Sequence, residues 1–332
     1  MGIQATMDLR TVAETLAAAG GAAPSLHNAQ PWRFRVDRDH VDVVLDRDRL
    51  LPVADPKGRQ AHLGLGAAVL LLRLALTVQD RQVDVLLLPD PAEPDLVARL
   101  TAGDRQIAGD DDRRLFAAVA ARRTVRTPFR PGFVPVPLQI GWRGAAEVEG
   151  ADLRWVVAKG ERIGVSALVT AAERLQQRDP AYLAELERWT ALERAEEGAG
   201  VPPSAFGIAA AAGHLAEFPL RDFSGGTRTD RPRHAGPAEE HPFVTVLHTP
   251  GDQRVDWLRG GQALMRVLLA AAAEGHAASY LNQPLELPGL RQELRDELRL
   301  EGWPQLILRI GQPSGVLPPQ APRRPVRDLL LT

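Results

Sequence analysis

With 40 basic and 42 acidic residues among 332, the chain has a formal net charge of −2, which gives no electrostatic case for nucleic acid or an anionic membrane. A hydrophobic share of 45% and a charged share of 25% are those of a soluble globular protein with a sizeable core, in one large domain or two ordinary ones. Cysteine is absent, which excludes disulfides, thiolate metal sites and cysteine nucleophiles.

In chain order, Leu9, Val12, Ala13, Leu16 and Ala17 recur at helical spacing and predict a first helix that stops at Gly20. Neither a basic n-region nor an apolar h-region precedes it, so the expected location is the cytoplasm. Residues 21–34 then read Gly-Ala-Ala-Pro-Ser-Leu-His-Asn-Ala-Gln-Pro-Trp-Arg-Phe, a turn stiffened by Pro24 and Pro31. Its polar side chains either satisfy their own backbone in a helix-to-strand loop or present an edge to a flat heterocycle. Trp32, Phe34 and Val36 alternate with charged residues, as do Val41, Val43 and Leu45, which predicts a hairpin. A long apolar helix is expected at 61–77; it carries Arg73 and is short for a membrane span. A strand follows at 83–88.

The second half opens with a helix at 114–122, a strand at 153–158, a helix at 161–177 and a charged helix at 182–194. Residues 197–242 mix Gly, Pro, Ala and charges without a lasting period, which predicts an excursion from the core. Strands at 243–248, 277–281 and 305–310 and helices at 255–274 and 290–298 complete the expected core, before a proline- and arginine-rich tail. Gly66-Ala-Ala-Val-Leu-Leu-Leu-Arg-Leu-Ala75 can be laid against Gly261-Gln-Ala-Leu-Met-Arg-Val-Leu-Leu-Ala270, an echo between the halves. Gly64-Leu-Gly66 lacks the strand and third glycine of a dinucleotide fingerprint, and the eight histidines show no metal-ligand spacing.

The stretch Ala23-Pro-Ser-Leu-His-Asn-Ala-Gln-Pro-Trp-Arg-Phe34 resembles the flavin-edge loop of the FMN-dependent nitroreductase superfamily, and its Acg-type subgroup in particular. Arg122-Arg-Thr-Val-Arg-Thr-Pro-Phe129, the 182–189 run, Arg221-Asp-Phe223, His248-Thr-Pro-Gly-Asp252, Gly261-Gln-Ala-Leu264, Ser279-Tyr-Leu-Asn-Gln-Pro-Leu-Glu286, Pro304 to Gly311 and Pro322-Arg-Arg-Pro325 extend the resemblance, in order, over nearly the whole chain. It implies an α+β nitroreductase-like fold: two pseudo-symmetric halves, 1–112 and 113–332, with mixed or antiparallel sheets packed on long central helices. It also implies bound FMN, a nicotinamide (NAD(P)H) as hydride donor and a nitro or quinone-type acceptor, in a monomer that acts as an internal pseudo-dimer. Members of this superfamily are ordinarily homodimers with flavin at the interface.

Flavin needs little side-chain catalysis, because the cofactor carries the hydride and electron steps. The resemblance places Pro24, Ser25, Asn28 and Gln30 at the ring edge and ribityl chain, and Ser279, Asn282 and Gln283 over the ring. It places Arg122, Arg123, Thr124 and Arg126, with Arg323 and Arg324, at the phosphate; Thr124 stands where the family's motif has serine. Phe206, Phe218 and Phe223 of the 197–242 excursion are expected to cover the ring as a lid, anchored by Arg221 and Asp222. Proteins with such a lid are poor nitroreductases, so a flavin-storage role with little turnover is the alternative. A structural interaction protein without cofactor leaves the ordered motifs unexplained.

Overall fold

A computed structural model describes residues 8–206, 217–223 and 242–331. Its first sheet contains strands β1 (Trp32–Val36), β2 (His40–Leu45), β3 (Arg81–Leu87) and β4 (Leu96–Arg105), and its second contains β5 (Asp152–Trp155), β6 (Phe243–Thr249), β7 (Ala277–Tyr280) and β8 (Trp303–Gly311). The sheets repeat one topology, β1-β2-β4-β3 and β5-β6-β8-β7, with every neighbouring pair antiparallel. The helices are α1 (Ala13–Gly21), α2 (Arg59–Thr77), α3 (Asp110–Ala117), α4 (Val136–Glu147), α5 (Lys159–Gln176), α6 (Pro180–Thr190), α7 (Leu192–Glu196), α8 (Arg254–Ala273), α9 (Pro288–Glu297) and the short α10 (Val326–Leu329). The expected boundary at 112/113 falls within α3.

The two sheets meet through α2 and α8, which pack against each other at the centre. α2 is long and apolar enough to cross a membrane by length and composition, but it is the core helix here, mostly buried. Leu65, Leu70, Leu71, Leu72, Leu74 and Leu76 are all essentially inaccessible, each burial stabilising by roughly 1.5–3 kcal/mol before entropy is subtracted. The crossing is reciprocal. A Cβ on Gly66 would lie 2.0 Å from the Leu258 carbonyl oxygen, and a Cβ on Gly261 would lie 2.0 Å from the Leu63 carbonyl oxygen. The same sequence offset relates both pairs, so the contact has the form of a two-fold interface inside one chain. The echo at Gly66 and Gly261 is therefore the point where the helix backbones touch.

Several elements differ from the sequence expectation. Strand β4 was not expected; its buried Val97, Ala98 and Leu100 give way to Thr101, Ala102 and Gly103, so strict alternation is weak. Helix α4 was also missed, since Pro135, Pro137, Gly141 and Gly144 imitate a loop; the two prolines sit at its entry, where a missing N–H costs nothing. The expected 182–194 helix breaks at Ala191 into α6 and α7. The tail is not a loose end: the Leu331 amide donates to the Phe34 carbonyl at 2.8 Å, and Leu330 forms a parallel bridge with Phe34.

Candidate functional site

The loop after α1 is built from unusual backbone. His27, Asn28 and Gln30 have φ of 48°, 55° and 54°, a left-handed region that costs a residue with a side chain of order 1–2 kcal/mol. Side-chain bonds hold it there. The Asn28 side-chain amide donates to the carbonyls of Gly200 (3.1 Å) and Pro322 (2.9 Å), while its Oδ1 accepts from Arg323 at 2.5 Å. Gln30, fully buried, donates to the Gly198 carbonyl (2.8 Å) and accepts from the Arg324 amide (3.1 Å). Its own amide donates to Ser25 Oγ at 2.9 Å. Three segments distant in sequence, 25–30, 198–200 and 322–324, are thereby joined. Gly198 (φ 77°) fits only as glycine, because a Cβ would lie 2.1 Å from the Arg323 carbonyl oxygen.

Above this junction opens a cavity of about 560 Å³. Pro24, Ser25 and Asn28 line it from the first half; Arg122, Arg123, Thr124, Arg126, Asn282 and Arg323 line it from the second. Gln30, Ser279, Gln283 and Arg324 are not among the lining residues; they stand behind the wall. Ser279 Oγ accepts from Arg309 Nε (3.0 Å), and Arg309 in turn donates to the carbonyls of Val125 and Thr127, which fixes the 122–127 segment against β7. Asn282 Oδ1 accepts from the Ile307 amide at 2.9 Å, and Gln283 reaches Glu173 at 3.2 Å. Arg324 donates to the carbonyls of Gln30 and Trp32 and pairs with Asp46 at 3.2 Å.

The charge of the cavity wall is one-sided. Among the described residues, five arginines line it (Arg122, Arg123, Arg126, Arg221 and Arg323) and no aspartate or glutamate does. Arg221 is neutralised by Glu286 at 2.5 Å; burial opposes its charge, but Glu286 and Tyr182 overcome that and hold its pKa above the ordinary value. The others have no carboxylate partner among the described residues. Burial, then the Arg122 charge, pulls the Arg323 guanidinium down to about 9. Burial, with the Arg221 charge adding to it, pulls Arg126 down to about 10, and burial followed by Arg123 lowers Arg122. These shifts mark cations that still hold their protons at neutral pH but lack a counter-ion.

Three further lining residues carry buried polar atoms with no hydrogen-bond partner among the described residues: His27 Nε2, Gln60 Nε2 and Tyr280 Oη. Burial raises the Tyr280 pKa, so its hydroxyl keeps its proton beside Arg122, Arg126 and Arg323. Burial, then Arg221 and Arg126, holds His27 well below the usual imidazole range and therefore neutral. The sequence reading left His27 undecided and did not select Tyr280, although Tyr280 lies inside the matched 279–286 segment.

Part of the 197–242 excursion reaches the cavity: Gly200, Val201, Ala205, Leu220 and Phe223 line it, and Phe206 stacks on Phe223 at 5.6 Å. Arg221 anchors this part through Glu286, and the Asp222 amide donates to Glu173 at 2.9 Å. Phe218 is a correction to the expectation: it packs with Val165, Val169 and Leu285 beneath Arg162, away from the cavity. Residues 207–216 and 224–241 of the expected lid lie outside the described residues.

An arginine-lined cavity with mainly aliphatic remaining walls and unmatched polar atoms on His27, Gln60 and Tyr280 fits an elongated ligand with a phosphate at one end. Its setting, between two pseudo-symmetric halves of an antiparallel α+β protein built on paired central helices, is nitroreductase-like. The chain is 34% identical over 316 residues to "Uncharacterized protein Rv3127" of Mycobacterium tuberculosis (strain ATCC 25618 / H37Rv), covering 93% of this chain and 89% of that protein. It is 32% identical over 311 residues to "Putative NAD(P)H nitroreductase acg" of the same strain, covering 92% of this chain and 91% of that protein. A solved nitroreductase with bound FMN from Desulfitobacterium hafniense DCB-2 aligns with a TM-score of 0.40 at 14% identity, over 63% of this chain and 94% of that one. No family profile matches the chain. The chain belongs to the Acg-type subgroup of the FMN-dependent nitroreductase superfamily.

Proposed function

We propose that the cavity holds FMN and that the protein is an NAD(P)H-dependent oxidoreductase of nitroreductase type, acting on nitro or quinone-type acceptors. The observation that carries this reading is the set of cavity-facing arginines without carboxylate partners, gathered from two distant segments. Arg122, Arg123, Arg323 and the Thr124 hydroxyl would hold the phosphate, and Pro24, Ser25, Asn28 and Asn282 the ring edge and ribityl chain. FMN, when bound, supplies the hydride and electron chemistry. The residues behind the wall do the positioning: Gln30 and Arg324 hold the first loop, and Ser279, through Arg309, holds the 122–127 segment.

The protein is expected to be a soluble, cytoplasmic monomer with one flavin, the two halves taking the place of two subunits. Purification with a visible spectrum, identification of the released cofactor and light scattering test this. A yellow monomer releasing FMN in a one-to-one ratio supports it. A colourless protein that FMN does not reconstitute overturns it. Steady-state NAD(P)H oxidation with a nitro compound separates an oxidoreductase from a flavin-storage protein, which would keep FMN without turnover.

A further inference from the structure

The unpaired cations of the cavity fall into two groups. Arg122 and Arg123 both act on Arg323, and Arg123 acts on Arg122, each disfavouring its neighbour's charge. Arg126, which shares Tyr280 with Arg122 and Arg323, also acts on His27, and its cationic neighbour is Arg221. A single phosphate dianion offsets the first group and leaves Arg126 without a counter-ion, since Arg221 is already paired with Glu286.

Arg126 is held rigidly for such a task. One guanidinium nitrogen donates to the Ala205 carbonyl at 2.8 Å, and the group lies over the Phe223 ring, 5.0 Å from its centre. His27 meets the same ring edge-on, with centres 6.1 Å apart and planes at 82°. Its residue is 5% exposed, and its Nε2, buried on a residue that lines the cavity, has no partner. A buried polar nitrogen left unmatched costs about 1–3 kcal/mol, which a ligand atom would recover. The same cavity is also walled by Leu63, Leu220, Leu264 and Leu306. Leu63 and Leu264 come from the two central helices, and Gln60, one turn before Leu63, adds a second unmatched nitrogen (Nε2), so the cavity offers apolar surface beside a cation and neutral polar groups.

We infer that the Arg126–His27 end of the cavity is a subsite for the electron acceptor, and that this acceptor is an apolar-bodied molecule bearing a carboxylate or equivalent anion. The anion pairs with Arg126, the body packs on the leucines, and a polar atom of the acceptor meets His27 Nε2. The inference rests on the flavin reading for the word acceptor; the anion subsite itself rests on the residues just named.

The test is calorimetric titration of the purified full-length protein, after incubation with FMN, with 4-nitrobenzoate and with its uncharged isostere 4-nitrobenzamide. The absorbance of the same sample records whether flavin is retained. The expected result is a preference for the carboxylate of about tenfold or more, from exchanging a neutral for a charge-assisted bond to Arg126. Arg126→Gln, which keeps a donor of similar length, is expected to bring the ratio near one. His27→Phe is expected to weaken both compounds together and leave the ratio standing. Equal affinity for the two compounds in the native protein overturns the inference, whether or not any variant folds. A preference that survives in Arg126→Gln also overturns it, because the anion then sits elsewhere. Loss of flavin with the preference intact sinks the proposed function and keeps the subsite; retained flavin without the preference does the reverse.

Discussion

Arg323 and Arg324 are neighbours in sequence and opposites in setting. Arg324 turns into the protein, where Asp46 and the carbonyls of Gln30, Trp32 and Asp328 engage its two terminal nitrogens. Arg323 turns toward the cavity, bonded to Asn28 Oδ1 and the Ala22 carbonyl but to no carboxylate among the described residues. The same contrast runs through the molecule. Arg73 and Arg266 converge on Glu149 and Arg99 clasps Asp42, all within the framework, while Arg221 is the cavity-wall arginine that the protein itself matches, with Glu286. Arg122, Arg126 and Arg323, also on the cavity wall, meet none among the described residues. A framework arginine is matched by the protein, whereas these three are left for something that the protein binds.

This contrast predicts which substitutions harm folding and which harm binding. The largest effect is expected from Arg324→Ala, which strands part of a buried charge network and costs about 3 kcal/mol of stability, read as a lowered urea midpoint. An unchanged midpoint would dissolve the distinction between the two populations. Next comes Arg122→Ala, expected to leave flavin-free stability within about 0.5 kcal/mol while weakening FMN by roughly 1.5–3 kcal/mol, measured by fluorescence titration.

A pH titration sharpens the same point. The Arg323 cation is disfavoured by folding, so FMN affinity is expected to fall as pH rises through about 9, by up to about tenfold for one lost charged contact. In the flavin-free protein the sign reverses: between about 9 and the ordinary arginine value the unfolded chain binds the extra proton, so this group adds stability as pH rises. Affinity that is flat from pH 8 to 10 would count against Arg323 as a phosphate ligand. The smallest effect is expected from Tyr280→Phe, which removes an unmatched buried hydroxyl: neutral or slightly stabilising without ligand, and about 1 kcal/mol weaker for FMN.

Much of the architecture was legible because it is written in local pattern. The hairpin of Trp32, Phe34 and Val36 with Val41 and Val43 pairs as read, and the two glycines of the long apolar helices lie where the helices touch. What was hidden is long-range. Nothing local in Arg323-Arg324 says which one faces the cavity, since that depends on Asp46 and the loop at 30–32. Tyr280 was obscured because a tyrosine at the end of a strand reads as ordinary core until its orphaned hydroxyl is seen. Phe218 and Phe223 look interchangeable in sequence, but Arg162 and Arg126 draw them to different places.

The attachment of the C-terminal segment to Phe34 bears on how the molecule comes into being. The wall containing Pro24 and Asn28 is made well before the wall containing Arg323. During synthesis the early loop waits with Asn28 and Gln30 unmatched and the backbone edge at Phe34 open, until residues 322–331 arrive to clasp them. Loss of those residues would undo the same clasp, so retention of the ligand doubles as a report on whether the 322–331 segment is in place.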